Sequence, residues 1–242
     1  MRKVWYLLPL LALLLLLGMN LFPRSGARAI LDRAIEAHGG DVNLARVKTA
    51  RLKGTSRQIA HGAFGPPSSW EEILRLPHNL KRTIRQPFAG GALVFTHLYR
   101  DGKCWIYKGK EQMDVIESEP DSILVLLDRL VQMRKQDVPL TQMADEQVQG
   151  RAAVGIEPHS KDLANLHLYF DKETRLIVKM KKQVEDTTLE VLCGDYHYFD
   201  GVWLAQTITY IRDGDMDREM KLVEAWFPET IEDSEFRPPG SK

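Results

Sequence analysis

Three hydrophobic patterns follow one another along the chain. An uninterrupted apolar run covers residues 4–22. Apolar side chains recur at helical spacing in residues 29–48, where Gly39-Gly40 predicts the end of one helix and Asp41 can cap a second. From Thr49 onward the period changes to two, which predicts β-strands. The chain is therefore expected to begin with an apolar leader and helices and to continue as a β-structure.

Short turns predict that the strands are consecutive and antiparallel. Asp101-Gly102, Asp200-Gly201 and Asp213-Gly214 each separate two apolar, β-rich runs. Asp-Gly is among the strongest signals for a two-residue hairpin turn. The sequence thus predicts a long antiparallel meander.

One apolar helix interrupts the strands. Pro120-Asp121-Ser122 is a helix-start signal, and Pro139 ends the element. Apolar residues cover most of the helix circumference, because Leu124, Val125 and Leu126 widen the stripe that contains Leu127, Leu130 and Val131. Such a helix requires burial on more than one side.

The apolar run at the start of the chain directs it to a membrane. Residues 4–22 follow Arg2-Lys3 and precede Pro23-Arg24. The run is longer than the roughly 7–15 residues of a signal-peptide core and close to the about 20 of a spanning helix. It is either a retained inner-membrane anchor or a signal peptide cleaved near Ala29. We expect residues 1–29 to be this leader, residues 30–238 to be one domain, and the protein to be exported to the periplasm or cell envelope.

Charge and cysteine content narrow the function classes. Residues 1–29 hold four of the 33 basic residues and none of the 33 acidic ones, so the rest carries a net charge of about −4. That excludes the clustered basic charge of a nucleic-acid-binding protein. Lys179, Lys181 and Lys182 form the one dense basic patch, and strand alternation predicts a solvated outer face for Lys179, Lys181 and Ile177. Cys104 and Cys193 are expected to be separate buried thiols, although an oxidising compartment would allow a disulfide.

No catalytic, metal-binding or cofactor-binding motif stands out. The seven histidines include no His-Glu-x-x-His metal motif, and the chain has no phosphate-binding glycine loop. Asp195 and His197 would share a strand face, but no nucleophile accompanies them. We therefore expect a protein that is not an enzyme and that needs no cofactor or metal.

Several short motifs along the chain resemble one family. They are Gln149-Gly150-Arg151-Ala152, Leu168-Tyr169-Phe170-Asp171, Thr174-Arg175-Leu176-Ile177-Val178, Tyr198-Phe199-Asp200-Gly201-Val202-Trp203-Leu204, Tyr210-Ile211-Arg212-Asp213-Gly214 and Ile231-Glu232-Asp233-Ser234-Glu235-Phe236-Arg237. Together with the leader, the meander and the inserted helix, they resemble the LolA/LolB/LppX-like outer-membrane lipoprotein-carrier superfamily. Ala205 stands where the family commonly has proline.

The resemblance implies an α+β fold, in which a strongly curved open antiparallel sheet, a half-barrel, has helices on its concave face. It also implies a carrier that holds lipid or lipoprotein acyl chains between sheet and helix. The expected lid residues are Leu124, Leu127, Leu130 and Val131. The expected floor residues are Leu168, Phe170, Val178 and Met180, which alternate along one hairpin face. The alternative is a membrane-anchored structural or regulatory module of the same fold that binds an envelope protein and no lipid.

Overall fold

The structure is a computed structural model that describes residues 26–60 and 63–240, in which helices cover one face of a large sheet. The helices are α1 (Gly26–His38), α2 (Gly40–Arg46) and α3 (Ile123–Lys135), with 3-10 turns at Lys161–Leu163 and Asp233–Phe236. The strands are β1 (Thr49–Ala60), β2 (Ala63–Phe64), β3 (Ser68–Arg75), β4 (Asn79–Phe88), β5 (Gly91–Arg100), β6 (Lys103–Lys108), β7 (Glu111–Glu117), β8 (Leu140–Gln142), β9 (Glu146–Val148), β10 (Arg151–Pro158), β11 (Leu166–Asp171), β12 (Ile177–Val184), β13 (Thr187–Phe199), β14 (Val202–Arg212) and β15 (Asp215–Trp226).

The sheet is open and antiparallel. Its order is β7-β6-β5-β4-β3-β1-β15-β14-β13-β12-β11-β10-β8, with β2 paired to β1 and β9 to β10. Each of these strand pairs is antiparallel, and β7 and β8 at the two ends do not pair with each other. The predicted α+β half-barrel, a curved open sheet with helices on its concave face, is therefore confirmed.

The predicted hairpin turns are present, and their backbone explains them. Asp101 and Gly102 have φ angles of 49° and 76°, and the pairs Asp200-Gly201 and Asp213-Gly214 are likewise both positive. Two consecutive positive φ angles are the requirement of a type I′ turn, whose twist matches that of the flanking strands. Local sequence thus fixes three of the strand connections.

The first two helices form as the apolar spacing predicts. Leu31, Ala34 and Ile35 on α1 are fully buried. The helix ends before Gly39, whose φ of 132° is a value that glycine adopts without steric strain. Gly39, rather than Asp41, is the N-cap of α2, and Asp41 lies in its first turn.

Helix α3 lies in the centre of the core. Seven of its 13 residues are buried, and Leu124, Leu127 and Leu130 have no exposed surface. The helix contacts α1 and α2 as well as the inner side chains of the sheet. Burial on several sides is what its wide apolar surface predicted.

A β-bulge between β11 and β12 changes which side chains face the helices. Tyr169 pairs with Lys179 and Phe170 pairs with Ile177, so Val178 is an extra residue with no partner. The bulge moves Ile177 into the main core, and Val178 joins a separate cluster with Tyr169 on the other face. The prediction that Val178 shares a face with Leu168, Phe170 and Met180 is wrong for this reason.

The same bulge corrects the interpretation of the lysines. Lys179 does not share a face with Ile177, and it is 9% exposed rather than solvated. Its Nζ lies 2.7 Å from Glu146 Oε1 and 3.3 Å from Glu190 Oε2. Lys179 is therefore part of a paired charge cluster on the convex face.

The C-terminal segment covers the convex face of β3–β6. Phe236 is fully buried in a cluster with Ile231 and with outward side chains of those strands. Arg75 donates to the Ile231 carbonyl at 3.1 Å, and Lys81 donates to the Glu235 carbonyl at 2.9 Å. These contacts occupy this part of the convex face with the chain's own residues.

The predicted leader falls almost wholly on residues 1–25, which lie outside the described residues. Its last four residues, 26–29, are the first turn of α1, where Ala27 is 3% exposed. None of the helices within residues 26–60 and 63–240 combines the length and apolarity needed to cross a membrane. Cys104 and Cys193 are both free and buried, as expected of separate thiols.

His38 joins the end of α1 to the sheet. It is fully buried, the Ile177 N–H donates to Nε2 at 3.2 Å, and Nδ1 lies 2.9 Å from the Trp203 carbonyl oxygen. Since Nε2 accepts, Nδ1 carries the proton and donates to Trp203. Burial lowers the pKa of His38 to about 4, and the hydrogen bond to Trp203 opposes this only in part.

We expect His38 to make the folded protein lose stability as the pH falls from 6.5 to 4. In this window the unfolded imidazole, with a pKa of about 6.5, binds a proton that the folded one, with a pKa of about 4, does not. Protonation of His38 therefore stabilises the unfolded state relative to the folded state by roughly 3 kcal/mol across the window. Urea unfolding at pH 7, 5.5 and 4 measures the loss.

His38→Gln is the matched variant, because the pKa of His97 is also lowered to about 4 and contributes in both proteins. The difference between the two pH profiles isolates His38. If the free energy of unfolding falls with pH equally in wild type and variant, His38 is not the cause of the loss.

Candidate functional site

A cleft of about 550 Å³ opens where the segment before α3 crosses the concave side of the sheet. We call it the mouth cleft. Its apolar wall consists of Met180, Val184, Leu189, Val191 and Ile211. Its charged lining consists of Arg129, Lys182, Arg212 and Arg218 and of Glu117, Glu119, Asp121, Glu190 and Asp217. Size and mixed lining are those of a site for a small amphipathic molecule.

A second, much smaller space lies beneath the first turn of α3. This helix cavity has a volume of about 30 Å³, and Ser122, Ile123 and Leu126 form one side while Val191, Cys193 and Ile208 form the other. The residues that line both spaces are Pro120, Asp121, Arg129, Met180 and Val191. The helix cavity therefore adjoins the mouth cleft, and it is large enough for one water-sized group.

The four expected lid residues are core residues of α3. Leu124, Leu127 and Leu130 are fully buried and Val131 is 4% exposed. None of the four borders the mouth cleft or the helix cavity. The α3 side chains that do border them are Ile123, Val125, Leu126 and Arg129. A ligand would reach the expected lid residues only if α3 moved.

The four expected floor residues have three different environments. Leu168 and Phe170 are fully packed in the main core, and Val178 lies on the convex side. Met180 alone of the four borders both the mouth cleft and the helix cavity. The apolar wall missed by the sequence interpretation comes from the next strand pair, with Leu189 and Val191 on β13.

A buried ionic group holds the start of α3, and we call it the Asp121 anchor. The Asp121 carboxylate lies 2.6 Å from Arg82 Nη1 and 2.7 Å from Arg218 Nη2. Arg82 also pairs with Glu72 at 2.5 Å, and both of these side chains are almost fully buried. The Tyr210 hydroxyl donates to the Asp121 carbonyl at 2.9 Å. Strands β3, β4, β14 and β15 thus converge on one residue that precedes α3.

The anchor stays ionised over the whole physiological pH range. Burial by itself would raise the pKa of Asp121, but the positive charges of Arg82 and Arg218 outweigh it and hold that pKa well below its usual range. Burial would likewise lower the pKa of Arg82, and Asp121 and Glu72 together raise it above its normal value. The attraction between α3 and the sheet is therefore constant with pH.

The sequence contained a signal for part of this anchor. Glu72 and Arg82 stand at inward-facing positions of two strands joined by a short turn, and they are direct partners in the register. Opposite charges at inward positions of adjacent strands predict a buried pair. Asp121 and Arg218 are distant in sequence from both, and no local pattern connects them.

A second ion pair lies at the surface of the same segment. Glu119 pairs with Arg129 one turn and a half into α3, at 2.5 Å. On the opposite flank of this segment lies another cleft of about 290 Å³, lined by Tyr99, Val125 and Asp128 among others. The segment 117–121 therefore separates two clefts, one on each side of α3.

Asp195 and His197 do not form a catalytic pair. Asp195 has a positive φ of 51° and interrupts the pairing of β13 with β14 without shifting its register. Its carboxylate accepts from the Thr207 hydroxyl at 2.6 Å, and exposed His197 contacts the Phe199 ring. Within residues 26–60 and 63–240, no three His, Cys, Asp or Glu side chains are grouped as metal ligands.

Three solved structures are similar to this chain at low sequence identity. One is a DUF1329 family protein from Desulfovibrio piger, at 12% identity over 87% of this chain and 97% of that chain, with a TM-score of 0.57. Another is a LolA superfamily protein from Nitrosomonas europaea, at 10% identity over 87% and 97%, with a TM-score of 0.56. The third is a domain from Vibrio parahaemolyticus named for outer membrane lipoprotein sorting, at 13% identity over 87% and 95%, with a TM-score of 0.52.

No protein-family model matches the sequence, and a search of curated proteins gives no match. The structural similarity shows that the chain has a LolA-like fold, as its motifs indicated. At these identities the similarity concerns the fold alone.

We expect Asp121→Asn to weaken the attachment of α3 to the sheet. The change leaves Arg82 and Arg218 without their shared carboxylate, and breaking a buried pair typically costs about 3–5 kcal/mol. Because a third of the Asp121 side chain is exposed, we expect a smaller loss of about 2–3 kcal/mol. Urea unfolding measures the loss, and hydrogen exchange should be faster across Ile123–Lys135.

Asp137→Asn is the matched control, because Asp137 pairs with Arg28 but its side chain is 92% exposed. It should cost less than about 1 kcal/mol. An Asp121 variant as stable as the Asp137 variant would show that the anchor contributes nothing.

Proposed function

We propose that the protein is a cell-envelope carrier that binds an acyl chain of a lipid or lipoprotein in the mouth cleft and does not catalyse a reaction. The observation that carries this proposal is the apolar wall of the mouth cleft, which continues beneath an apolar helix. Met180 and Val191 belong to both spaces, so an acyl chain that enters the cleft lies against the edge of α3. The LolA-like fold supports the proposal by analogy.

A ligand can bind further under α3 only if it takes over the apolar contacts that the helix makes with the sheet. Exposing each of its buried Leu, Ile, Val or Met side chains costs about 1.5–3 kcal/mol. An acyl chain returns about 0.8 kcal/mol for each buried CH₂ group. Either α3 or an acyl chain can therefore cover the apolar inner surface of the sheet. A longer acyl chain buries more CH₂ groups and so offsets more of the free energy lost when α3 moves away.

A specific observation favours a second candidate, a module that binds an envelope protein. Edge strand β7 has all seven residues exposed, among them Met113, Val115 and Ile116 at 41–56%. An exposed strand edge can pair with an extended segment of another protein. This candidate needs no ligand in the mouth cleft.

The proposed location is the periplasm or the inner-membrane surface, with residues 1–29 as cleaved signal or retained anchor. The apolar run of residues 4–22 supports export. Fractionation of cells that express the full chain, followed by terminal sequencing, distinguishes the two. Recovery of the protein with its leader from the cytosol would contradict export.

Met180→Trp tests the carrier proposal. A larger side chain at this position fills the passage between the mouth cleft and the helix cavity, so we expect at least about tenfold less co-purified lipid. Native mass spectrometry of the purified protein measures the bound lipid. Circular dichroism checks that the variant is folded.

Lys181→Trp is the matched control, since Lys181 is adjacent on β12 but borders neither the mouth cleft nor the helix cavity. Its lipid content should equal that of wild type. If wild type itself carries no lipid and shows no thermal shift with lipopeptide or fatty acid, the protein-binding candidate is favoured instead.

A further inference from the structure

The start of α3 has an incomplete cap inside the helix cavity. Ser122 is the N-cap residue, and serine at this position normally accepts a hydrogen bond from the first turn. Here its side chain makes no capping hydrogen bond. Ser122 is 5% exposed, and among the described residues its Oγ atom has no hydrogen-bond partner.

The backbone adds donors at the same place. The first turn of an α-helix presents N–H groups that have no carbonyl partner within the helix, and the helix dipole makes this end positive. The first intrahelical bond here runs from the Leu126 N–H to the Ser122 carbonyl at 3.1 Å. Ser122 and Ile123 line the helix cavity, and apart from Asp121 and Arg129 its other lining residues are apolar. One small oxygen-bearing group would satisfy donors that burial otherwise leaves unpaired.

The charges around the helix cavity indicate whether a charged or a neutral oxygen-bearing group would bind there. Arg82 is paired with Glu72 and Asp121, Arg218 with Asp121, and Arg129 with Glu119. The cations nearest to the start of α3 are therefore already neutralised. Lys182 and Arg212 line the mouth cleft but do not border the helix cavity. A carboxylate inside the helix cavity would therefore lie next to the Asp121 charge with no unpaired cation bordering the cavity, whereas a neutral carbonyl brings an acceptor and no charge.

The size of the two spaces agrees with this choice. A volume of about 30 Å³ is sufficient for a group the size of a carbonyl oxygen. The adjoining mouth cleft, at about 550 Å³, has room for the chain segments on both sides of that carbonyl.

We propose that the helix cavity binds the ester carbonyl of the acyl ligand, with Ser122 Oγ and the first turn of α3 as donors. The inference rests on the proposed function and makes it more specific. The protein distinguishes acyl esters from free fatty acids and alcohols of the same chain length. The ligand is thereby fixed in depth, with its carbonyl at the start of the helix and its chain along the apolar wall.

Photo-crosslinking in envelopes that contain the full chain tests the subsite. The probes are a monoacylglycerol, a fatty acid and an alkanol of equal length, each with a diazirine at the chain end. Mass spectrometry of peptides from the mouth cleft measures labelling. In wild type we expect the ester to label about tenfold more than the alkanol. In Ser122→Ala this ratio should fall toward one.

Ser160→Ala is the matched control, because Ser160 is also an N-cap residue without a capping hydrogen bond but borders neither the mouth cleft nor the helix cavity. It should retain the wild-type ratio. The unfolding midpoint of the unliganded Ser122 variant gives a second readout. A structural cap predicts a decrease of several degrees, whereas a hydroxyl that bonds only to ligand predicts an unchanged or higher midpoint.

The outcomes separate the two proposals. If no probe labels the wild-type cleft, the carrier function fails and the subsite fails with it. If all three probes label equally, or if Ser122→Ala keeps the ester preference, acyl binding stands and the ester subsite is overturned. A lower midpoint for Ser122→Ala without any change in the ratio assigns Ser122 a structural role and also overturns it.

Discussion

The open sheet is stable because α3 is buried against its concave face. A sheet whose end strands do not meet leaves its inner apolar face to be covered by something else. Leu124, Leu127 and Leu130 provide that cover and lose all of their exposed surface. Removing α3 would leave the inner face of β11–β14 in water, so the helix and the sheet determine each other's conformation.

The position of α3 is set by charge, whereas its stability comes from apolar burial. Asp121, at the start of the helix, meets Arg82 and Arg218 from two separate parts of the sheet. An ionic group of this kind contributes little net free energy, because the charges must be desolvated. It does exclude other orientations of α3, since any shift would leave a buried charge unpaired. The mouth cleft and the helix cavity lie at this end, between the anchored start of α3 and strands β12 and β13.

The two faces of the sheet therefore have different roles. On the convex face, the C-terminal segment packs over β3–β6 through Phe236, and Lys179 is held by Glu146 and Glu190. These contacts are complete within the chain. On the concave face, the apolar wall of the mouth cleft and the unpaired hydroxyl of Ser122 remain available to another molecule. The proposed ligand completes the packing on the side where the chain itself does not.

Local features could be predicted from short stretches of sequence. The Asp-Gly turns, the break at Gly39 and the start of α3 after Ser122 depend on a few neighbouring residues, and the structure has them where they were predicted. The open curved sheet followed from the family motifs. The face of Val178 could not be predicted in this way, because a single bulge opposite Phe170 reverses strand alternation. The contact between Asp121 and Arg218 could not be predicted either, because it depends on the curvature of the whole sheet, which no short stretch of sequence encodes.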